Sequence, residues 1–402
     1  MRIAFLTSEF VTEPVYAGGL GNYLFRTAAA LRQRHECSPA VFVRSETDEH
    51  FVYEGIDVYR VSPCAPLWIK AADFLTRGRL RGALAQISVS RALWKKVLEE
   101  HEKRPFTIVQ AASYAATNLC ASKRIPSVVR ISSFEPLWRK AYEKTLTPKQ
   151  RLVEYLEKRA MRAANGIFSP SRLLAEKTGM ALRLTVQVIE PAFIPDVTDL
   201  DNSMYEKLLK DRKYLLFFGT IGSMKGCLEI AEIIHPLLER HKDLYFAFAG
   251  AVSSDHSKET KRLIMEKAGN LDNRLMFFGP LKHEFLYPII KKSLAVVLPS
   301  RIDNFPNACV EAMYLGQIVI GTKGASFEQL IEDGVSGFLC EPCNPASLLS
   351  ALQRCISLTH DQRDAVSSRA KKRISELDPT IATDRLLSFY DAILRECRKK
   401  RT

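Results

Sequence analysis

Tyr214-Leu215-Leu216-Phe217-Phe218-Gly219-Thr220-Ile221-Gly222-Ser223-Met224-Lys225-Gly226-Cys227 reads as a buried strand, a glycine-broken loop and the first residue of a helix. The run from 214 to 218 has no polar alternation, so both faces of the strand are expected to be covered. The glycines let the chain turn tightly out of the sheet. A helix is expected from about 227 to 241. The same unit recurs at 244–250, 275–279 and 294–299, each an apolar run that ends at Gly or Pro with helical spacing beyond. Strands alternating with helices predict a doubly wound parallel sheet, and in such sheets ligands lie beyond the carboxyl ends of the strands.

The rhythm extends upstream. Short apolar runs at 2–7, 40–43, 107–109, 127–129 and 166–169 alternate with helical stretches such as 90–102 and 150–164. Between the two series lies 190–213, with Pro191, Pro195 and the polar run 196–202, which reads as a linker. A final helix, about 382–395, carries Leu386, Leu387, Tyr390, Ile393 and Leu394 on one face and needs a surface to cover it. The expected division is an N-terminal domain over 1–195, a second domain over 196–380 and a last helix over 381–402.

Composition narrows the class. At 402 residues the chain suits two or three domains. Hydrophobic residues at 47% and charged residues at 26% exclude a disordered tail protein. No run of 18 apolar residues occurs, which argues against a transmembrane helix, and the opening apolar run is too short for a signal peptide. A cytoplasmic location is therefore expected. The net charge of +13 suits an anionic partner or a basic solvated surface. Nine cysteines, an odd number in so long a chain, read as reduced thiols. Cys340 and Cys343 form a lone C-x-x-C with no second pair, so no metal site is expected there.

Three constellations stand at strand ends. In Gly18-Gly19-Leu20-Gly21, adjacent glycines let backbone N–H groups approach a ligand, and the helix N-terminus beyond favours an anion. The pattern is neither a dinucleotide fingerprint nor a Walker loop. In the second, Lys225 stands where a helix begins, after Gly219 and Thr220, and is placed to hold a phosphate. The third is Pro299-Ser300-Arg301-Ile302-Asp303-Asn304-Phe305-Pro306-Asn307-Ala308-Cys309-Val310-Glu311-Ala312-Met313. Asp303 falls in a loop and Glu311 in an apolar helical setting. An acid there is costly unless it meets a partner or a ligand hydroxyl. Two carboxylates also suit a glycosidase, but neither has an evident acid or base partner.

Together these residues resemble the retaining glycosyltransferase family 4, which has the GT-B fold: two doubly wound α/β domains facing a cleft. Asp303 and Glu311 stand as that family's acid–seven residues–acid pair. Residues 299–307, Glu311-Ala312-Met313 with Gly316, Val319-Ile320-Gly321-Thr322, and Glu328 through Leu339 follow its pattern. The resemblance implies a C-terminal half that binds a nucleotide-activated sugar and an N-terminal half that binds the acceptor. It implies that Lys225 holds the donor diphosphate, that Glu311 bonds the ribose hydroxyls, and that Asp303 contacts the donor sugar. Backbone amides of Asn304, Phe305 and Asn307 would assist, as would Gly18, Gly19, Gly219, Thr220 and Arg301 around the donor. It implies hexosyl transfer with retention, without metal or other cofactor, to a glycan or lipid-linked acceptor in polysaccharide or lipopolysaccharide assembly.

Three positions depart from that pattern. The first acid is the shorter Asp303 rather than Glu. Thr220 stands where the family carries an Arg, a loss that Arg301 or Lys323 would have to offset. After the strand near Val109 the chain reads Gln110-Ala111-Ala112-Ser113-Tyr114, without the family's His. None of the eight histidines stands in an obvious replacement position, and each reads as surface or packing. These losses keep two alternatives open: a non-catalytic relative or scaffold that binds a nucleotide sugar, and an epimerase on the same architecture. Residues 68–104 carry nine Lys and Arg against four acids, interleaved with Trp68, Phe74, Leu75, Leu80, Leu93 and Trp94. Residues 139–162 are basic again. Both lie in the expected acceptor domain and suggest peripheral attachment to an anionic membrane face. No nucleic-acid recognition motif occurs, so no nucleic-acid partner is expected.

Overall fold

The computed structural model describes residues 1–14, 19–34, 36–141, 145–195, 199–252 and 254–400. The chain divides into two compact units, Met1–Ala192 with Leu377–Thr402, and Phe193–Glu376.

The first unit is built on an eight-stranded sheet. Its strands are β1 (Arg2–Thr7), β2 (Ser38–Arg44), β3 (Glu49–Tyr53), β4 (Ile56–Val61), β5 (Ile108–Ala112), β6 (Ser127–Arg130), β7 (Gly166–Ser169) and β8 (Gln187–Val188). The order is β3-β4-β2-β1-β5-β6-β7-β8, parallel throughout except for the β3–β4 hairpin. Glu54 and Gly55 close that hairpin, both at positive φ (48° and 72°), the conformation that suits a right-twisted two-residue turn. Helices α1 (Gly19–Arg32), α2 (Leu67–Leu75), α3 (Arg81–Lys103), α4 (Glu135–Ala141), α5 (Pro148–Arg162) and α6 (Arg172–Leu182) connect the strands.

Successive side chains of a strand point to opposite faces. Ile3 and Phe5 of β1 therefore join one core with Leu24, Ala28 and Leu31 of α1. Ala4 and Leu6 join another with Val89, Leu93, Trp94 and Val97 of α3.

In the second unit the helices are α7 (Ser203–Leu208), α8 (Cys227–Arg240), α9 (Asp255–Ala268), α10 (His283–Lys292), α11 (Asn307–Tyr314), α12 (Pro345–Ile356) and α13 (His360–Ser375). The chain then returns to the first unit as α14 (Pro379–Lys399). The apolar stripe of α14 is covered there: Leu386, Phe389, Tyr390 and Ile393 lie in the α1-side core. The Tyr390 hydroxyl donates to Gln110 Oε1 at 2.5 Å, and burial pushes its pKa well up, so it stays a donor.

The second unit carries β9 (Lys213–Phe218), β10 (Leu244–Ala249), β11 (Leu275–Gly279), β12 (Ala295–Leu298), β13 (Val319–Thr322) and β14 (Phe338–Cys340). Their order is β11-β10-β9-β12-β13-β14, all parallel. The strand order reverses between β9 and β12, which makes a topological switch point at their carboxyl ends. The stretch at 190–213 is not wholly a linker. Within it, α7 folds, Asp201 N–H bonds the Glu284 carbonyl at 3.0 Å, and Leu209 is 1% exposed. Apolar Leu209 anchors this polar segment to the second unit, which a polarity profile does not reveal.

Candidate functional site

The switch point of the second sheet gathers the residues singled out in the sequence. β9 ends at Phe218, a 3₁₀ turn spans Ser223–Lys225, and α8 starts at Cys227. β12 ends at Leu298 and its exit loop runs to α11. The two loops are tied together, because Arg301 N–H donates to the Met224 carbonyl at 3.0 Å. This brings Lys225 Nζ to 2.6 Å from Asp303 Oδ2. The carboxylate side is 16% exposed and the ammonium side 40%, so the pair opens outward through the lysine. Ser326 Oγ donates to the Asp303 carbonyl at 2.9 Å and fixes the loop from behind.

Glu311 lies on α11 and is 7% exposed, as its apolar neighbours predict. Its partner was not legible. His283 Nε2, on the first residue of α10, stands 3.6 Å from Glu311 Oε2. The signal for His283 was its place just after β11, at the same carboxyl edge of the sheet. His256 was equally unread and bonds Ser223 Oγ at 2.8 Å, on the Lys225 turn.

Other expected residues fall as follows. Phe305 is buried at 7%, so only its backbone can serve a ligand, whereas Asn307 is exposed. Asn307 opens α11; the first amides of a helix lack intrahelical acceptors and attract anions. Thr220 is exposed and Gly219 adopts φ 126°. Arg301 directs Nε and Nη2 to Glu229 Oε1 at 3.0 and 2.9 Å, so its guanidinium braces the loop against α8. Lys323 pairs with Glu341 at 2.6 Å. Neither stands free to replace the arginine missing at 220. In the first unit, Gly19 opens α1 and is exposed, while Gly18 lies outside the described residues.

Burial favours the protonated form of the two thiols nearest this site. Cys227 begins a helix, where a thiol pKa normally falls, but burial wins and pushes it up to about 12. Burial, with the Asp303 charge adding, raises Cys309 well above the usual range. Cys340 is buried, Cys343 is exposed, and neither is joined in a disulfide among the described residues. Among the described residues no group of three His, Cys, Asp or Glu is set to hold a metal.

An ammonium beside a carboxylate, a second buried carboxylate and a row of helix N-terminal amides suit one kind of ligand. The cation and amides favour phosphate oxygens, and the carboxylates accept from hydroxyls. The fold is a two-unit GT-B architecture, and its second unit gathers groups whose chemistry suits phosphate and hydroxyls together. The family models agree: residues 202–373 match glycosyl transferases group 1, and 18–182 match the glycosyl transferase 4-like domain. The chain belongs to that glycosyltransferase family.

Among its relatives, the α-D-kanosaminyltransferase of Streptomyces kanamyceticus is 26% identical over 185 residues, covering 46% of this chain and 47% of that protein. The lipopolysaccharide 1,2-N-acetylglucosaminetransferase of Salmonella typhimurium is 22% identical over 172 residues, covering 42% of this chain and 45% of that protein. The match thus spans about half the length of these curated relatives. The sucrose-phosphate synthase of Thermosynechococcus elongatus shares the fold, with a TM-score of 0.75 and 16% identity over 98% of this chain and 99% of that one.

Proposed function

We propose that the protein is a retaining, metal-independent hexosyltransferase that moves a sugar from a nucleotide-sugar donor to a glycan or lipid-linked acceptor. The observation that carries this reading is the Lys225–Asp303 pair, 2.6 Å apart at the switch point, with buried Glu311 on the adjoining helix. Lys225 holds the diphosphate, Asp303 accepts from sugar hydroxyls and Glu311 from ribose hydroxyls. As the bond from the anomeric carbon to the phosphate oxygen breaks, negative charge grows on the leaving diphosphate, beside the ammonium and the α11 amides. The acceptor oxygen forms the new bond on the same face, and its proton passes to the departing phosphate oxygen. Lys225 supplies at the diphosphate the positive charge that a divalent cation would otherwise bring. A role in cell-surface polysaccharide or lipopolysaccharide assembly is in keeping with the lipopolysaccharide-acting relative.

The test is a thermal-shift panel with UDP, GDP, ADP and CMP on the wild type, Lys225→Ala and Glu311→Ala. One nucleotide is expected to stabilise the wild type by ~2.7 kcal/mol at 100 times its dissociation constant. Both variants are expected to lose most of that shift. A panel silent on the wild type would overturn the reading.

Attachment to an anionic membrane face belongs to the same proposal, with α2 as the face that would act. Among the described residues, none forms a helix long and apolar enough to cross a membrane. In α3, Leu93 and Trp94 are core residues, while Lys95, Lys96 and Lys103 pair with Glu99 and Glu100. Arg139 and Lys158 pair with Glu154. What stays outward is α2 and the turn after it: Leu67 (84% exposed), Trp68, Phe74 (83%) and Leu75, beside Lys70, Arg77 and Arg79. Such a face suits an anionic interface. Flotation with phosphatidylserine-containing vesicles at low salt is expected for the wild type. The triple variant Trp68→Ala, Phe74→Ala, Leu75→Ala should bind at least tenfold more weakly, since each buried side chain is worth ~1.5–3 kcal/mol. Equal flotation of both proteins would remove α2 from the account.

A further inference from the structure

The first sheet has a switch point of its own, between β1 and β5. A cavity of about 460 Å³ opens there, roofed by α2 and α3. It falls in the ~300–1,000 Å³ range of small-molecule sites. Four buried side-chain oxygens that meet no donor or acceptor among the described residues line it: Ser8 Oγ after β1, Asp73 Oδ1 on α2, and Gln86 Oε1 and Ser88 Oγ on α3. Ser88 is 5% exposed. An unsatisfied buried polar atom is destabilising, and native chains keep few of them. Four around one cavity point to a partner that is not part of the chain.

The chemistry of that partner can be read from what is missing. Asp73 Oδ1 and Gln86 Oε1 only accept, so they require donors, while the two serine hydroxyls do either. Sugar hydroxyls meet both needs. At the rim stand Arg44 and Lys70, exposed and, among the described residues, without a carboxylate partner. Tyr114, 52% exposed, presents a ring to the same space. Behind it Ala115 and Ala116 hold φ 61° and 50°, a conformation that strains a non-glycine residue and is kept mainly at functional sites. A second cavity of about 850 Å³ shares Arg81, Gln86, Tyr114 and Ala115 with the first. Its Glu157 accepts from Ala115 N–H at 3.2 Å, and burial pushes its carboxyl up to about 7.

We infer that the cavity under α2 seats the acceptor, and that the acceptor presents there a hydroxyl-rich ring carrying an anionic substituent. This rests on the transferase reading and gives it a substrate class. The adjoining cavity leaves room for the rest of a larger acceptor.

Ser88→Ala tests it cleanly. The Ser88 hydroxyl bonds nothing among the described residues, so its loss should leave the melting temperature unchanged or higher. Calorimetric titration with glucose 6-phosphate, glucose and inorganic phosphate forms the soluble arm. Vesicles with phosphatidylinositol, set against phosphatidylserine vesicles of equal charge, form the lipid arm. Glucose 6-phosphate is expected to bind at least tenfold tighter than glucose or phosphate alone, and about five- to tenfold more weakly to Ser88→Ala. Lys70→Ala should weaken the phosphate ester and leave glucose unchanged. A Ser88-dependent preference for phosphatidylinositol with no soluble binding would assign the same ring chemistry to a lipid headgroup. Binding of no probe, or equal binding by wild type and Ser88→Ala, would overturn the inference and leave water as the occupant. Nucleotide stabilisation measured on the same samples keeps that failure separate from failure of the donor site.

Discussion

Lys225→Ala is expected to lower kcat/KM for the sugar donor by ~10²–10³, the range for removing one preorganised charge or donor from a developing anion. That corresponds to ~2.7–4 kcal/mol of transition-state stabilisation. Most of the loss should appear in kcat, because the diphosphate carries more charge as it departs than in the bound donor. The variant also leaves Asp303 without the ammonium 2.6 Å away, so one substitution disturbs both the phosphate and the sugar contact. Lys225→Arg should restore little: a planar guanidinium cannot take the place of a compact ammonium beside Oδ2. The ligand-free melting temperature should hardly move, since a pair with a 40% exposed lysine adds little to stability. Initial rates of nucleoside diphosphate release decide the matter. A fall in activity matched by a fall in stability would reassign Lys225 to structure.

What the sequence made legible, and what it hid, follows one physical division. Strands buried on both faces write themselves as apolar runs, so β1, β9, β10 and β12 were readable to within a residue or two, and β11, apolar though only half-buried at the sheet edge, read the same way. The β3–β4 hairpin was not. β3 lies at an edge, its side chains are largely exposed, and it lacks the apolar run that marks the others. Lys225, Asp303 and Glu311 stood out because their local setting was unusual: a cation at a helix start, an acid in a loop, an acid among apolar neighbours.

Partnerships across the fold left no local trace. His283 meets Glu311 and Arg301 meets Glu229 only because parallel strands bring their carboxyl ends to one edge. Within the basic stretch 68–104 the division of buried from exposed left no local trace either. The stretch reads as one positive surface, yet α3 turns Leu93 and Trp94 inward and pairs its lysines with its own glutamates, which leaves the exposed face to α2.

Gly226→Ala is expected to be strongly destabilising in the second unit, and it links stability to the donor site. Gly226 follows the 3₁₀ turn that carries Lys225, at φ 76°. A Cβ there would stand 1.9 Å from the carbonyl oxygen of Pro299, a contact that requires backbone to move. The left-handed conformation costs an alanine ~1–2 kcal/mol, and forcing atoms into a packed contact ~1–3 kcal/mol more. The sum, ~2–5 kcal/mol, should lower the melting temperature of this unit by ~4–20 °C. Pro299 begins the loop that carries Asp303, so the shift also pulls Asp303 away from Lys225, and nucleotide stabilisation should vanish even below the new melting point. Gly222→Ala is the control. Its φ of 178° is open to any residue and nothing lies within 4 Å of its Cβ position, so stability and nucleotide binding should both persist. If Gly226→Ala melted like Gly222→Ala, the close approach of the two loops would not be what sets Lys225 against Asp303.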